Sequence, residues 1–585
     1  MRRRILCLPT GVSEFFGRLK GNRNLCRPEA MAQIEYSEHG SRNRGALGTR
    51  FVGALAYLVA AACLLPMVAV VLAAATGGTD TIRHLLDTVL PGYAATTLIL
   101  VSLVSVGTFA IGVGAAWLVT MTRFPGVRLF EVALVLPLAF PAYVLAYAYT
   151  FILDHPGIVQ TTLRQVTGWG PRDYWFPEIR STEGAAVMLI LVLYPYVYLL
   201  ARAAFLQQSA TAFLAARALG SSPWSAFWRV SLPMARPAIA GGVLLAVMET
   251  IADFGTVAYF GVQTFATGIY TSWFSMADRA AAAQLALCLL AFALVMAVTE
   301  RTQRGKAKYY QPGKRHSALP AAQLAGWQAV AAWVLCAIPV LLGFLLPVVV
   351  LVQMGLESEQ NLLSARYLGF IRNSLTLAGT AAVITVCAAV CVGFYQRLRP
   401  GRGSATAAYL ARLGYAVPGG VIAVGLIVPF AGFDNALDAW MRQTFGVSTG
   451  LLVTGSIWLL VAAYMVRFLA AALSAYESGQ STVHANMDAA ARSLGQTPLG
   501  TLRRVHLPIL TPSLLTALLI VFVDVMKELP ATLIMRPFNF DTLAVQAYRL
   551  ASDERLEGAA VPSLVILAVG LLPVILICRQ VGRRP

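Results

Sequence analysis

The chain has 585 residues, of which 58% are hydrophobic and 12% are charged, and its formal net charge is +18. The charged fraction is about half that of a typical soluble domain, and a chain of this length cannot bury so many apolar residues in a water-soluble core. These values exclude a soluble enzyme, a disulfide-linked secreted scaffold and a disordered chain. The basic residues are spread over short loops between apolar runs, so they indicate membrane topology rather than binding to nucleic acid.

Apolar runs long enough to cross a bilayer follow one another along the chain. The first six lie near 51–75, 95–120, 129–153, 186–206, 238–262 and 280–298. After a polar stretch, six more lie near 328–354, 373–395, 407–431, 450–472, 513–536 and 558–578. We predict an all-α polytopic membrane protein of about 12 transmembrane helices. Its predicted parts are a basic tail (1–50), a first six-helix half (51–300), a linker (301–320) and a second six-helix half (321–585).

The two halves resemble each other at a nearly constant offset. Pro141 matches Pro418 at an offset of 277 residues, and Gly220 matches Gly495 at an offset of 275. This small drift over a whole half indicates a tandem duplication. Because each copy has an even number of spans, we expect a parallel repeat about an axis along the membrane normal.

Lysine and arginine are concentrated in one set of loops, which includes the N-terminal tail, the linker and the C-terminus. The positive-inside rule therefore predicts that both termini and the linker are cytoplasmic. Residues 1–50 contain no apolar segment followed by a cleavage site, so we predict no secretory signal there. Met31 is an alternative start.

Two matching segments follow the fourth run of each half. LAARALGSSPWSAFWRVSLP begins at Leu214, and AAARSLGQTPLGTLRRVHLP begins at Ala489. The alanine-rich part favours a helix, and the glycine is expected to end it in a left-handed conformation. Ser222 and the proline after it favour the start of a second short helix, which Leu-Pro is expected to stop. We therefore predict two short helices at an angle on the cytoplasmic face.

These segments resemble the EAA motif of ABC importer permeases, E-A-A-x3-G-x9-I-x-L-P. The chain therefore resembles the permeases of the binding-protein-dependent (MetI-like) family. In that family the motif is the coupling helix that docks on the ATP-hydrolysing subunit. The resemblance implies contact with the ATPase at Ala215, Ala216, Gly220, Leu232, Pro233, Ala490, Ala491, Gly495, Leu507 and Pro508. The acidic residue of the motif is replaced by Leu214 and Ala489, with Asp488 one place early.

The sequence contains no Walker A motif, G-x4-G-K-[ST]. The resemblance therefore implies that two copies of a separate ATPase drive transport and that a periplasmic binding protein delivers the cargo. It also implies a multi-pass protein of the bacterial inner membrane. We expect no catalytic residues, no cofactor, no metal site and no nucleic-acid partner.

Three further segments narrow the resemblance: LPLAFPAYVLAYAY (136–149), METIADFGTVAYFG (248–261) and VMKELPATLIM (525–535). They are similar to fused ferric-iron permeases, which join two six-helix halves in one chain. The resemblance implies ferric iron as the cargo and a path close to Tyr143, Tyr147 and Tyr149. Thiamine permeases, also fused, share much of the pattern. Polyamine, sulfate and aminoethylphosphonate permeases are related, so these cargoes remain alternatives.

Four acidic residues lie in the apolar runs after the coupling segments. Glu249 and Asp253 match Asp524 and Glu528 at an offset of 275. Ionisable side chains at membrane depth are costly and usually face the bundle interior or a wet cavity. Two interpretations stay open: the acids pair helix to helix and fix a gate, or they line the translocation path. Lys527 is expected to neutralise the neighbouring Glu528.

Two other classes of protein compete with the importer permease. An ion-coupled secondary transporter also has a parallel repeat, and its buried acids would carry protons. An intramembrane enzyme would need paired catalytic residues, which the sequence does not show. The duplicated coupling segment favours the importer permease.

Overall fold

The structure is a computed structural model that describes residues 28–208, 210–304, 322–360 and 364–582. It is built almost entirely of helices, as predicted, because a helix satisfies its own backbone hydrogen bonds in a lipid environment. The helices of the first half are α1 (Pro28–Thr76), α2 (Gly78–Asp87), α3 (Leu90–Met121), α4 (Val127–Ala133), α5 (Ala142–Leu153), α6 (Ile158–Thr167), α7 (Thr182–Gln207), α8 (Ala210–Ala218), α9 (Pro223–Ala226), α10 (Leu232–Ala252), α11 (Gly255–Tyr259), α12 (Phe265–Tyr270) and α13 (Arg279–Arg304). Short 3-10 and π turns extend some of them, at Leu136–Ala139, Phe227–Ser231 and Thr271–Ser275.

The second half follows a similar but not identical order. Its helices are α14 (Trp327–Val340), α15 (Leu346–Glu357), α16 (Ala365–Leu398), α17 (Arg402–Leu413), α18 (Gly419–Phe445), α19 (Ile457–Gln480), α20 (Ala485–Ser493), α21 (Pro498–Thr501), α22 (Leu507–Met526), α23 (Pro530–Met535), α24 (Leu543–Ser552) and α25 (Leu556–Gly582). Here the short turns are Leu341–Leu345, Gly414–Ala416 and Leu502–His506.

Within the described ranges, eleven helices are long and apolar enough to cross a membrane, and a bent pair raises the number to twelve if it counts as one span. This agrees with the predicted number. The bent pair corrects the prediction of a continuous span at 129–153, because the chain turns by 93° between Val127–Ala139 and Ala142–Thr167. The break falls at Pro141, which has no N–H to continue a helix and keeps Phe140 extended.

Three other predicted runs are also interrupted. The run at 407–431 breaks at Pro418, the repeat equivalent of Pro141. The run at 238–262 ends as a helix at Ala252, and the run at 513–536 ends at Met526. In both of these runs a short helix follows the break. The apolar runs therefore mark the segments correctly but conceal a matched set of breaks in the two halves.

The first long helix of each half packs across on the other half. Helix α1 contacts α16, α17 and α18, whereas α14 and α15 contact α3 and α5. The crossing is close at Gly425, where a side-chain Cβ would lie 2.3 Å from the carbonyl oxygen of Pro66. The halves therefore interlock rather than touching along a single plane.

Two short strands, β1 (Thr122–Arg123) and β2 (Ala322–Gln323), pair in parallel. This pairing attaches the residues that follow the linker to the first half. Residues 1–27 of the predicted tail and 305–320 of the predicted linker lie outside the described ranges.

Candidate functional site

A cavity of about 370 Å³ lies between the two halves. Its walls include the breaks at Pro141 and Pro418 and apolar side chains from both copies of the repeat. Six charged side chains line it: Glu249, Asp253, Arg467, Asp524, Lys527 and Glu528. With ordinary ionisation these groups leave a formal excess of two negative charges. The structure thus brings all four acids predicted from the sequence to one cavity.

Asp253 lies immediately after α10 and holds the start of α11. Its carboxylate accepts hydrogen bonds from the backbone N–H groups of Thr256 (3.0 Å) and Val257 (3.2 Å), and from the Thr256 hydroxyl (3.1 Å). A side-chain oxygen in this position satisfies the free N–H groups of a helix N-terminus. Asp253 was predicted to lie inside a continuous span, and it lies instead at the break.

Glu528 has the equivalent position before α23 and is almost fully buried. It accepts hydrogen bonds from the N–H groups of Ala531 (2.9 Å) and Thr532 (3.1 Å), and it forms an ion pair with Arg467 at 3.2 Å. Gly419 makes room for this pair, because a Cβ there would lie 2.1 Å from an Arg467 nitrogen. Glu528 therefore holds a helix start and also neutralises a buried cation.

The other two acids differ from each other. Asp524 forms an ion pair with Lys527 at 2.9 Å. The sequence-based pairing of Lys527 with Glu528 is therefore wrong. Lys527 lies one helical turn after Asp524 and pairs with it, whereas Glu528 pairs with Arg467. Glu249 has no hydrogen-bond or ion-pair partner in the described part of the chain. Of the four carboxylates, Glu249 is thus the one with no hydrogen-bond or ion-pair partner among the described residues, whereas Asp253 is hydrogen-bonded but has no cation partner.

Arg467 was not recognised from the sequence as a site residue. It lies in the middle of α19, within the predicted run 450–472, and lines the cavity. Its repeat equivalent is Val192, so comparison of the halves gave no signal. An arginine inside an apolar run is the one feature that could have revealed it.

The three predicted tyrosines have different surroundings. Tyr143 lines the cavity, and its hydroxyl donates to the carbonyl oxygen of Lys527 at 3.4 Å. Tyr147 is fully buried beside it. Tyr149 donates to the carbonyl oxygen of Leu342 at 2.8 Å, so it holds the first helix of the second half and does not face the cavity. Across the described residues, no three His, Cys, Asp or Glu side chains converge in a way that could hold a metal ion.

The two coupling segments have the same backbone geometry. Gly220 and Gly495 have φ values of +88° and +75°, as the predicted left-handed helix stops require. The N–H of each glycine and that of the next residue donate back into the helix, to Arg217 and Ala216 in the first copy and to Arg492 and Ala491 in the second. This is the Schellman arrangement of a helix C-terminus.

The predicted helix stop at Leu232-Pro233 and Leu507-Pro508 is wrong. In each copy the second short helix runs through a π turn directly into the next long helix, α10 or α22. A wide π turn avoids the clash between the proline ring and the carbonyl oxygen of the preceding turn. These four residues are therefore the start of a span and not the tip of the coupling segment.

The tip of each coupling segment is an exposed leucine. Leu219 is 87% exposed and Leu494 is 79% exposed, and each directly precedes its left-handed glycine. Ala215 and Ala490 are also exposed, whereas Ala491 is buried. The sequence-based set omitted both leucines, although their equal position in the repeat was visible in the sequence.

The two segments are attached to the membrane helices in different ways. The first is held by aromatic packing, with Phe227 5.2 Å from Trp117 and 6.1 Å from Phe205 between ring centres. In the second, Asp488 pairs with Arg397 at 2.7 Å and with His506 at 2.6 Å. Partial burial would raise the pKa of Asp488, but the hydrogen bonds from His506 and Arg397 outweigh it and hold that pKa below its ordinary value.

The sequence matches a known family twice, over residues 108–304 and 381–584, and the family is described as a binding-protein-dependent transport system inner membrane component. The two matches cover more than half of the chain, and one lies in each half. The chain belongs to this family of ABC importer permeases. Permeases of this family are multi-pass transport subunits that work with an ATPase and a substrate-binding protein.

Several relatives of this permease are named as metal-transport permeases. It is 27% identical to the Fe(3+)-transport system permease protein FbpB 2 of Haemophilus influenzae, across 89% of this chain and 97% of the relative. It is 24% identical to the ferric transport system permease protein FbpB of Actinobacillus pleuropneumoniae, across 76% of this chain and 64% of the relative. A shorter match, with 27% identity over 32% of this chain, is to the molybdenum transport system permease protein ModB of Escherichia coli.

Proposed function

We propose that this permease moves ferric iron, delivered by a periplasmic binding protein, through the central cavity into the cytoplasm. The long matches to permeases named for ferric iron support this cargo. In this proposal residues 51–300 and 321–585 are the two permease halves, and Glu249, Asp253, Asp524 and Glu528 line the path or its gate. The permease itself has no ATPase site.

The charge of the cavity is the observation that carries the proposal. Four carboxylates face two cations, so the lining attracts a cation and repels an anion. Shorter relatives include permeases named for sulfate and molybdenum transport, and a sulfate ion would enter against this excess charge. Thiamine is a cation and would suit the same lining, so it is the competitor to test.

The driving subunits are two copies of a separate ATPase, one at each coupling segment. Each coupling segment has the same left-handed glycine preceded by an exposed leucine. This supports two equivalent docking sites, because two identical ATPase copies would each need a matching surface on the permease. In this arrangement Leu219 inserts into an apolar groove of one ATPase copy, next to Ala215. Leu494 inserts into the same groove of the other copy, next to Ala490. Both termini and the linker are then cytoplasmic, on the same face as the coupling segments.

ATP hydrolysis by the purified permease–ATPase complex in nanodiscs tests the cargo. The complex is mixed with a binding protein loaded with ferric iron, with thiamine or with sulfate. We expect only the iron-loaded binding protein to stimulate hydrolysis above the level given by its unloaded form. Stimulation by the thiamine-loaded protein, without stimulation by the iron-loaded protein, would replace iron by thiamine as the cargo.

A further inference from the structure

A cluster of charged side chains joins the two halves on the face opposite the coupling segments. The Arg180 guanidinium donates two parallel hydrogen bonds to the Glu554 carboxylate, at 2.8 and 2.9 Å, and its Nε donates to Asp154 at 3.0 Å. Such bidentate arginine–carboxylate pairs are stronger and more directional than pairs joined by a single hydrogen bond. The hydrogen bonds that Arg180 donates to the Glu554 carboxylate raise the pKa of its guanidinium. We name the Arg180–Glu554 pair the outer latch.

A column of tyrosine rings leads from the outer latch to the cavity. The Arg180 guanidinium lies 5.2 Å above the ring of Tyr259. The ring centres of Tyr259 and Tyr147 are 4.7 Å apart, and those of Tyr147 and Tyr143 are 5.7 Å apart. Tyr143 lines the cavity. The Tyr147 hydroxyl is buried and has no hydrogen-bond partner in the described part of the chain.

The same column is tied to a cavity carboxylate through the backbone. Tyr259 is the last residue of α11, and Asp253 holds the first turn of that helix. A movement of α11 that separates Tyr259 from Arg180 would therefore also move the Asp253 carboxylate. The outer latch and a carboxylate of the cavity lining therefore contact opposite ends of one short helix.

The outer latch is present on only one side of the duplicated fold. The repeat equivalents of Arg180 and Glu554 are Gly455 and Ala277, which cannot form an ion pair. Yet Ala277 and Glu554 have the same left-handed backbone, with φ values of 53° and 58°. The turn is thus a property of the fold, whereas the ion pair is an addition that the fold does not require.

We propose that the outer mouth of the pathway opens along this tyrosine column and that the outer latch holds it closed. The proposal rests on the proposed transport function but not on iron as the cargo. When the latch opens, the mouth presents the carboxylates of Asp154 and Glu554 and the phenol of Tyr259. Oxygen ligands of this kind suit a hard cation.

Labelling of a buried reporter from outside tests the latch. Thr150→Cys serves as the reporter, because Thr150 is buried on α5, three residues after Tyr147. The eight natural cysteines are first replaced by alanine, and a membrane-impermeant thiol reagent is added to the full-length permease in vesicles without cargo or ATPase. We expect Glu554→Gln to speed labelling about two- to fivefold, the factor that corresponds to an ion pair of this exposure.

Arg180→Lys keeps the positive charge but loses the bidentate hydrogen bonds. We therefore expect it to speed labelling less than Glu554→Gln does. Glu557→Gln is the matched control, since Glu557 is exposed on the same segment and forms no ion pair in the described structure. Equal labelling rates in the wild type and Glu554→Gln, with an unchanged melting temperature, would overturn the latch. Equal acceleration by Glu557→Gln would also overturn it. Failure of the wild type to transport iron would contradict iron as the cargo. It would not change the labelling rates, so the two proposals are tested separately.

Discussion

At the scale of single residues, the four cavity carboxylates divide into those that the protein neutralises and those that it does not. Glu528 is buried against Arg467, whereas Glu249 has no partner in the described residues. We expect Glu528→Gln to destabilise the protein by about 3–5 kcal/mol, because it leaves the Arg467 charge buried and unpaired. Melting temperature in detergent measures this loss.

Glu249→Gln is the matched substitution for that measurement. It should leave the melting temperature unchanged and lower uptake, since it removes cavity charge without breaking a pair. Asp253→Asn should act in the same way, because the amide keeps one oxygen to accept the N–H groups at the start of α11. If Glu249→Gln melts as low as Glu528→Gln, the division between structural and lining acids is wrong.

A second residue-scale prediction concerns Asp488 in the second coupling segment. Asp488→Asn should cost about 1.5–3 kcal/mol, the range for hydrogen bonds to charged groups. The pKa of this carboxyl is depressed in the folded protein, so its stabilising contribution is complete above its ordinary value of 3.8 and is lost as the pH falls through the lower folded value. The melting difference from the wild type should shrink as the pH falls below about 4. A difference that grows on acidification would contradict this assignment.

The positions of the acids could be predicted from the sequence, but their partners could not. A constant repeat offset was enough to pair Glu249 with Asp524 and Asp253 with Glu528. The partner of Glu528 was hidden because Arg467 is 61 residues away in the chain and has no counterpart in the first half. Hydrogen bonds to the N-termini of short helices were also hidden, because continuous apolar runs show no helix break.

At the scale of elements, the coupling segments depend on two left-handed glycines. Gly220→Pro and Gly495→Pro should uncouple ATP hydrolysis from transport, because proline fixes φ near −65° where the helix stop needs a positive value. Gly446→Pro is the matched control, since Gly446 also has a positive φ but ends α18, far from the coupling segments. Transport and ATPase binding that stay normal in both coupling variants would contradict the docking role.

The shape of the coupling segments was only partly predictable. Alanine-rich sequence followed by glycine was sufficient to predict the Schellman stop, because both signals are local. The Leu-Pro stop failed because a π turn precedes each proline and leaves room for its ring. The π turns lie at 227–231 and 502–506, and no local signal in the sequence marks a π turn.

At the scale of the whole molecule, the two halves are interlocked by their first helices. Gly425→Ala should lower the melting temperature, because the added methyl group would meet the carbonyl oxygen of Pro66 at 2.3 Å. Gly432→Ala on the same helix is the control, since nothing lies within 4 Å of its Cβ position. That substitution should be neutral or stabilising by about 0.5–1 kcal/mol, the helix preference of alanine over glycine. Equal melting of the two variants would contradict the crossed packing.

This crossed arrangement was beyond reach of the sequence alone. The duplication predicted two similar halves and a parallel repeat, and both halves show a similar order of helices with matched breaks at Pro141 and Pro418, although α18 is continuous where the first half has α5 and α6. The crossed packing of the first helices depends on contacts between residues hundreds of positions apart. The apolar faces of α1 and α15 do not reveal in the sequence which helices they contact. The central cavity follows from this packing, because its walls come from both halves.

Uptake of radioactive iron by proteoliposomes tests the central claim most directly. The vesicles contain the permease and its ATPase, with ATP on the coupling-segment side and the iron-loaded binding protein on the other side. We expect ATP-dependent accumulation of iron, reduced by Glu249→Gln and abolished by Gly495→Pro. Accumulation of thiamine without iron, or iron uptake that continues without ATP hydrolysis, would contradict it.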